Sequence, residues 1–419
     1  MAQNPAADEA LVERFLRYTT FDTQSVRGSS TTPSSLKQLK LAELLVEELK
    51  SLGAADAAVG EGGVVYASIP ASPGCEDAPA VGFIAHMDTS PDASGENVKA
   101  KIVRFEGKDV VLNAEKNIVF STKAFPEIMK YAGEDVIFTD GTTLLGADDK
   151  AGIAAVMGMV AAVMADPSIP HAKLCIGFTP DEEVARGTES FDIAKFGAAY
   201  AYTFDGGEVG GLECENFNAA TATVVFEGVG VHPGHSKGKM VNSIRAMAKF
   251  IEMLPAQMSP ECTEGYEGFV HPQLVSGSVV KSTVSVIIRD HDQALFEEKK
   301  AMIESIVDEL QKRCPKVRIT LTIKDSYVNM KHFLDKAPKV MDIARAALKD
   351  VGLTPVEEPI RGGTDGARLS ADGLPCPNIF TGGMNFHGIY ECIPVPSLLK
   401  CRDVAVAIAK RSAEIKSLA

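Results

Sequence analysis

AVGFIAHMD, running from Ala80 to Asp88, is a short apolar stretch that ends on two polar residues, His86 and Asp88. A run this brief and this apolar reads as a strand covered on both faces, as in a parallel sheet. The pattern recurs in AKLCIGFTPDEE (Ala172 to Glu183), in AAYAYTFDGG (Ala198 to Gly207) and in CPNIFTGG (Cys376 to Gly383). Between the first two lies AGIAAVMGMVAAVMA (Ala151 to Ala165), which reads as a buried helix, and a last helix is expected near Leu398 to Ile415. Strands alternating with helices predict an α/β fold, a mostly parallel sheet covered by helices. Polar residues follow the apolar runs each time: His86 and Asp88, Glu182 and Glu183, Asp205, and, slightly further on, His387. In open α/β sheets, ligands collect at the carboxyl ends of the strands.

Upstream, Asp8 is the expected N-cap of a first helix with Leu11, Val12, Phe15 and Leu16 on one face. Ser25 to Ser35 is a loop, and Leu36 to Leu52 an amphipathic helix ending near Gly53. From about Asn218 the grammar changes. TATVVFEGVG is a strand, Met240 to Leu254 a helix, and SVVKSTVSVIIRD one or two strands; Gln293 to Arg313 is a charged helix and VRITLTIKDSY a strand. That order is ferredoxin-like, an α+β unit. The chain therefore divides into an α/β domain over 1–217, an inserted α+β domain over 218–327, and the rest of the α/β domain over 328–419.

A formal charge of −14 with a pI near 5.1 argues against nucleic acid or an anionic membrane as partner. The longest apolar stretch, Ala151 to Ala165, is too short to span a bilayer and is flanked by Asp148, Asp149, Lys150 and Asp166. MAQNPAADEALVERF lacks the basic and apolar regions of a signal peptide. None of the 8 cysteines forms a CxxC pair, and Cys175 sits inside the apolar LCIGF, where a buried thiol is the plain reading. These features predict a cytoplasmic protein.

Residues two apart on a strand share a face, so in HMD a metal on His86 would leave Asp88 to orient the ring or a neighbouring ligand. Taken alone, a His-x-Asp pair is ordinary surface chemistry. In GADDKAG (Gly146 to Gly152) an N-cap or first-turn acid accounts for one aspartate but less well for two. Asp148, with two oxygens, is suited to bridge two cations. Three successive acids in TPDEE (Thr179 to Glu183) repel one another unless cations or solvent screen them. Adjacent side chains diverge, which assigns Glu183 as ligand and Glu182 as a base beside the water it activates. Asp205 in FDGG and His387 in NFHGIYE complete the set. Two histidines and three carboxylates suit two divalent ions, zinc first, with manganese or cobalt also compatible. The positive charge of such ions offsets the clustered acids and lowers the pKa of water between them.

With those residues in view, HMDTSPDASG, TTLLGADDKAG, FTPDEEVARG, ENFNAA, TEGYEGF, IRGGTDGA and LPCPNIFTGG resemble the peptidase T family, tripeptide aminopeptidases among the dinuclear-zinc exopeptidases. The likeness runs from about Leu11 to the last helix. It implies hydrolysis of the N-terminal residue from short peptides, chiefly tripeptides. It also implies metal roles for His86, Asp148, Glu183, Asp205 and His387, Glu182 as proton acceptor, and Asp88 as the catalytic-site acid. The inserted domain would close over the site. There His232, in GVHPGHSKG, would stabilise an oxyanion, and Arg289 and Arg361 would hold the peptide carboxylate. A deacylase, carboxypeptidase or dipeptidase using the same metals remains an alternative, as does a non-catalytic metal or peptide binder. No cysteine stands in a context that fits a thiol hydrolase. Monomer and homodimer are both left open.

Overall fold

The computed structural model describes residues 5–418. They form two compact units. One holds the chain up to Cys214, Met330–Glu358 and the segment from Thr364 onward; the other holds Glu215–Asn329 with Pro359–Gly363.

The first unit is built on a seven-stranded sheet in the order Ala58–Val59, Val65–Ile69, Leu174–Thr179, Val81–His86, Tyr200–Gly206, Asn378–Phe380, Leu212–Glu213. The four strands from Leu174–Thr179 to Asn378–Phe380 pair in parallel. The outer pairings are antiparallel, so the sheet is mixed and parallel only at its centre. That central part is where continuous apolar runs occur, because only there are both faces covered. On one face the helix Ala147–Ala165 packs against Val81–His86 and touches both Pro5–Thr19 and Val395–Ser412. Ile84, Cys175 and Ala201 pack with Phe196, Leu369 and Leu374. The helix is buried almost all round, which explains why its sequence is apolar without an amphipathic stripe.

Gly152 shows how tightly that helix sits. A Cβ added there would lie 2.0 Å from the Phe204 carbonyl oxygen and 2.3 Å from Asp149 Oδ1. Backbone cannot yield as a flexible side chain does, so Gly152→Ala is expected to destabilise the unit by about 1–3 kcal/mol. A urea midpoint matching the parent would refute that close approach.

Asp8 is not an N-cap. The first helix already begins by Pro5, and Asp8 lies in its first turn, 2.7 Å from Arg402 Nη1. A further element has no counterpart in the sequence reading. Lys101–Arg104, Asp135–Phe138 and Cys392–Pro394 form a three-stranded sheet, and with the hairpin Val110–Asn113/Ile118–Phe120 they enclose Phe105, Phe120 and Phe138.

The second unit is a four-stranded antiparallel sheet ordered Phe269–Gly277, Lys281–Asp290, Asn218–Glu227, Arg318–Tyr327. Numbered along the chain the order is 2-3-1-4, the ferredoxin-like arrangement. SVVKSTVSVIIRD supplies one strand, and its hairpin partner lies upstream at Phe269–Gly277. Ala220, Ala222, Val224 and Phe226 alternate along Asn218–Glu227 and pack with Phe250 of helix Ser243–Met253 and Ile303 of helix Gln293–Arg313. Among the described residues, no helix is long and apolar enough to cross a membrane.

Candidate metal centre

The parallel register sets His86, the last residue of its strand, opposite Thr179. The TPDEE turn therefore emerges beside His86. Its three acids separate at once. Asp181 turns away and is fully buried, accepting from Ser34 N (2.6 Å), Ser34 Oγ (2.5 Å) and Gln38 Nε2 (2.7 Å). Glu182 and Glu183 remain with His86, and their backbone N–H groups donate to the two oxygens of Asp88 at 2.9 and 3.2 Å. Asp88 thus fixes the turn as well as the imidazole: its backbone oxygen lies 3.1 Å, and its carboxylate 3.4 Å, from His86 Nδ1. That leaves Nε2 of His86 facing the acids.

Asp148 stands between the two histidines. Its Oδ1 is 2.9 Å from His86 Nε2 and its Oδ2 is 3.1 Å from His387 Nε2. Asp205 Oδ1 lies 3.4 Å from His86 Nε2, and Glu183 Oε2 lies 3.0 Å from His387 Nε2. The structure thus gathers His86, Asp148, Asp205, Glu183 and His387 into one cluster with Glu182 and Asp88 beside it. Ligand atoms of His86, Asp148 and Glu183 lie within 4.8 Å of one another, as do those of His86, Asp149 and Asp205. Asp149 is a weaker donor than its distances imply. Its Oδ2 already accepts from His86 N (3.0 Å) and its Oδ1 from Gly152 N (3.1 Å).

The electrostatics are those of acids crowded out of water. Burial, then the charge of Asp205, pushes Glu182 well above the carboxylate range. Burial lifts Asp205 to about 8 and raises Glu183 as well. Burial opposes a charge on His86, yet the surrounding Asp205, Asp148 and Asp88 hold it well above the ordinary imidazole value. Hydrogen bonds donated to Asp148 and Glu183 lift His387 to about 10. Asp148, pressed upward by burial but held between both rings, ends well below its ordinary value. Glu183 Oε1 is buried with no hydrogen-bond partner. An orphaned carboxylate oxygen beside nitrogen and oxygen donors, where acids outnumber bases, fits divalent cations.

Three proposed substrate residues belong to the second unit. His232 is exposed, with its Nδ1 accepting from Gly234 N at 3.2 Å. Arg289 donates to the carbonyls of Ala220 (3.2 Å) and Ile288 (2.9 Å). Arg361 donates to the carbonyls of Gly265, Glu267 and Thr263 and to Thr263 Oγ1, and its guanidinium lies over the Phe217 ring.

Sequence reasoning passed over two buried acids. Glu391 takes backbone N–H groups from Leu145 (2.7 Å), Gly146 (2.8 Å) and Asp148 (3.0 Å), tying the Asp148 loop to the His387 loop. Its only signal was its place at the end of NFHGIYE. Asp365 accepts from Thr179 Oγ1 at 2.8 Å, and burial lifts its carboxyl to about 6. The string GGTDGA contained it without revealing that contact.

A mixed sheet whose carboxyl edge carries this cluster offers a candidate site for divalent cations. A family pattern described as a peptidase dimerisation domain matches residues 214–316. A peptidase T of Clostridium acetobutylicum is 50% identical over 97% of this chain and 100% of its own length. The chain belongs to the peptidase T family and is a peptidase. Among solved structures, an aminopeptidase PepT from Bacillus cereus superposes with a TM-score of 0.76 at 22% identity, over 97% of this chain and 99% of that one. A tripeptidase from Staphylococcus aureus gives 0.74 at 21%, again over 97% and 99%. A dinuclear metal-binding peptidase of the M20 family from Bacillus subtilis gives 0.66 at 13%, over 98% and 99%. At these identities the structural likenesses establish the fold.

Proposed function

We propose that this peptidase removes the N-terminal residue from short peptides, chiefly tripeptides, with two divalent cations held by His86, Asp148, Glu183, Asp205 and His387. One observation carries the reading: Asp148 presents one oxygen to each imidazole, so a single carboxylate serves two donor sets. His86 and Asp205 make up one set, His387 and Glu183 the other. The donors suit zinc, and manganese or cobalt as well. Bound there, the cations would lower the pKa of water and polarise the scissile carbonyl. The remaining work belongs to the chain. Glu182, beside the donors, takes the proton of the attacking water and delivers it to the departing amine. Asp88 keeps Glu182 and Glu183 in register through their amides. His232 is assigned to the developing oxyanion, and Arg289 and Arg361 to the substrate carboxylate.

Residues 218–327, which follow the first part of the catalytic domain in sequence and precede the second, would act as the lid. The match to a dimerisation domain supports a homodimer. The strand Phe269–Gly277, last in its sheet among the described residues and with Leu274 and Val275 exposed, offers its outer edge to a second copy. Eight free cysteines favour a reducing, cytoplasmic setting.

The test compares free and N-acetylated tripeptides before and after chelation, with zinc, manganese and cobalt restored separately. Free tripeptides are expected to lose their first residue, activity to vanish on chelation, and an added metal to return it. Cleavage of the acetylated peptide alone would transfer the chain to the deacylases.

A further inference from the structure

The two imidazoles of the centre are held in different ways. His86 is buried at the end of a strand, and its Nδ1 faces the backbone oxygen of Asp88. His387 lies in the loop between Asn378–Phe380 and Cys392–Pro394, is 43% exposed, and is fixed by no regular element. With its Nε2 turned to Asp148 and Glu183, its Nδ1 must carry the proton and needs an acceptor to set the ring. The carboxylate at that nitrogen is Asp92, whose Oδ2 lies 3.8 Å from Nδ1, an ion-pair separation. Asp92 in turn is held by Arg27, with Nη2 2.7 Å from Oδ1.

This pair is placed by the fold, although both side chains are exposed. Gln24 Nε2 donates to the carbonyls of Ser90 (3.2 Å) and Ala93 (2.7 Å), which bracket Asp92. Ser25 N donates to Thr89 O at 3.1 Å, and Val26 N to Ser34 Oγ at 2.9 Å. Ser34 is itself bound to Asp181 of the TPDEE turn. The segment before Arg27 is therefore stitched to the segment that bears Asp92, and the loop beyond it to the turn that bears Glu183.

We propose that Asp92, held by Arg27, is a positioning residue that orients His387 for its cation. The proposal rests on reading His387 as a ligand. Asp92 is the carboxylate at ion-pair distance from this loop-borne imidazole, placed to become its acceptor, and Arg27 limits the rotamers open to it. Neither is among the donors assigned to the cations. Because both are exposed, replacing them leaves the core unchanged.

The experiment titrates zinc, and separately cobalt, into the metal-free full chain by calorimetry against a competing chelator. The variants are Asp92→Asn, Arg27→Gln, the double variant and His387→Ala, with thermal unfolding of each metal-free protein alongside. Asp92→Asn is expected to weaken one of the two ions by about 10- to 100-fold, to spare the other, and to leave the metal-free Tm unchanged. Arg27→Gln is expected to weaken the same ion less, and to add nothing in the Asp92→Asn background. Asp92→Asn affinities within twofold of the parent for both ions would overturn the proposal. So would an Arg27→Gln effect that persists undiminished without Asp92. His387→Ala separates the two readings. If it still binds both ions at parental affinity, the ligand assignment fails and the positioning role with it. If it loses one ion while Asp92→Asn loses none, only the positioning role fails.

Discussion

Glu182→Gln is expected to bind both metals as the parent does and to turn over tripeptides roughly 10²- to 10⁴-fold more slowly. The asymmetry follows from where Glu182 stands. Its backbone N–H is tied to Asp88 Oδ1, and the next residue, Glu183, contributes the oxygen that meets His387. Glu182 belongs to neither donor cluster. Glutamine keeps its volume and the backbone bond to Asp88, so the turn and the donors stay in place. What it removes is the carboxylate oxygen proposed to take the proton of the attacking water. The comparison is kcat at saturating tripeptide with metal content measured on the same sample. Near-normal turnover at full occupancy would take Glu182 out of the mechanism. A variant that instead loses metal would show Glu182 to be a ligand, and the division of labour within TPDEE would need to be reversed.

Where these residues gather was legible in the sequence because of one structural rule. Val81–His86, Leu174–Thr179 and Tyr200–Gly206 are apolar along their length, and an acid or histidine directly after such a run must emerge at the carboxyl edge of the sheet. His86, Glu183 and Asp205 announce themselves in this way, and Asp148 does so by standing before an apolar helix. Other features had no local signature. Phe269–Gly277 holds Pro272 and an exposed Leu274-Val275, so its strand character comes from pairing with Lys281–Asp290 rather than from alternation. Lys101–Arg104 alternates half-buried and exposed residues on a small sheet whose third strand comes from Cys392–Pro394. Glu391 and Asp365 are the plainest cases. What each does is accept hydrogen bonds from residues 243 to 246 and 186 positions away, and no spacing rule reaches that far. The outer antiparallel pairings were hidden similarly, since Ala58–Val59 and Leu212–Glu213 are two residues long.

Stripping the metals is expected to lower the Tm, and to lower it more at pH 8 than at pH 5. Without cations the cluster is an excess of buried acid. Burial lifts the Asp205 carboxyl to about 8, with Asp148 and Glu183 adding to the effect and His86 opposing it. A carboxyl raised in the fold keeps a proton that the unfolded chain sheds near pH 4. Its contribution is complete below that value and is lost as the pH climbs through about 8. Asp365, lifted by burial to about 6, and Glu391, lifted by burial to about 7, have the same sign. His387 also falls in the same direction. Hydrogen bonds to Asp148 and Glu183 hold it up to about 10, so its pairing is complete below its ordinary value of 6.5 and is lost as the pH rises through about 10. Asp148 runs oppositely, but its carboxyl is held below the ordinary 3.8, so its window has closed by pH 5. Burial lowers Lys150 to about 8, and this adds stability only above that pH. From pH 5 to 8 the metal-free chain therefore loses stability steadily. Cations replace those protons, and each one present at a thousand times its Kd contributes about 4 kcal/mol. Ligand deprotonation strengthens metal binding over the same range, so the loaded curve should stay flat or rise while the stripped curve falls. The measurement is Tm against pH for chelated and zinc-loaded protein, with Asp205→Asn as a third curve. Of Asp205, Asp365 and Glu391, Asp205 is raised the most, so Asp205→Asn should flatten the stripped curve. A gap between loaded and stripped protein that stays constant or narrows toward pH 8 would mean that the clustered acids are not held apart by cations.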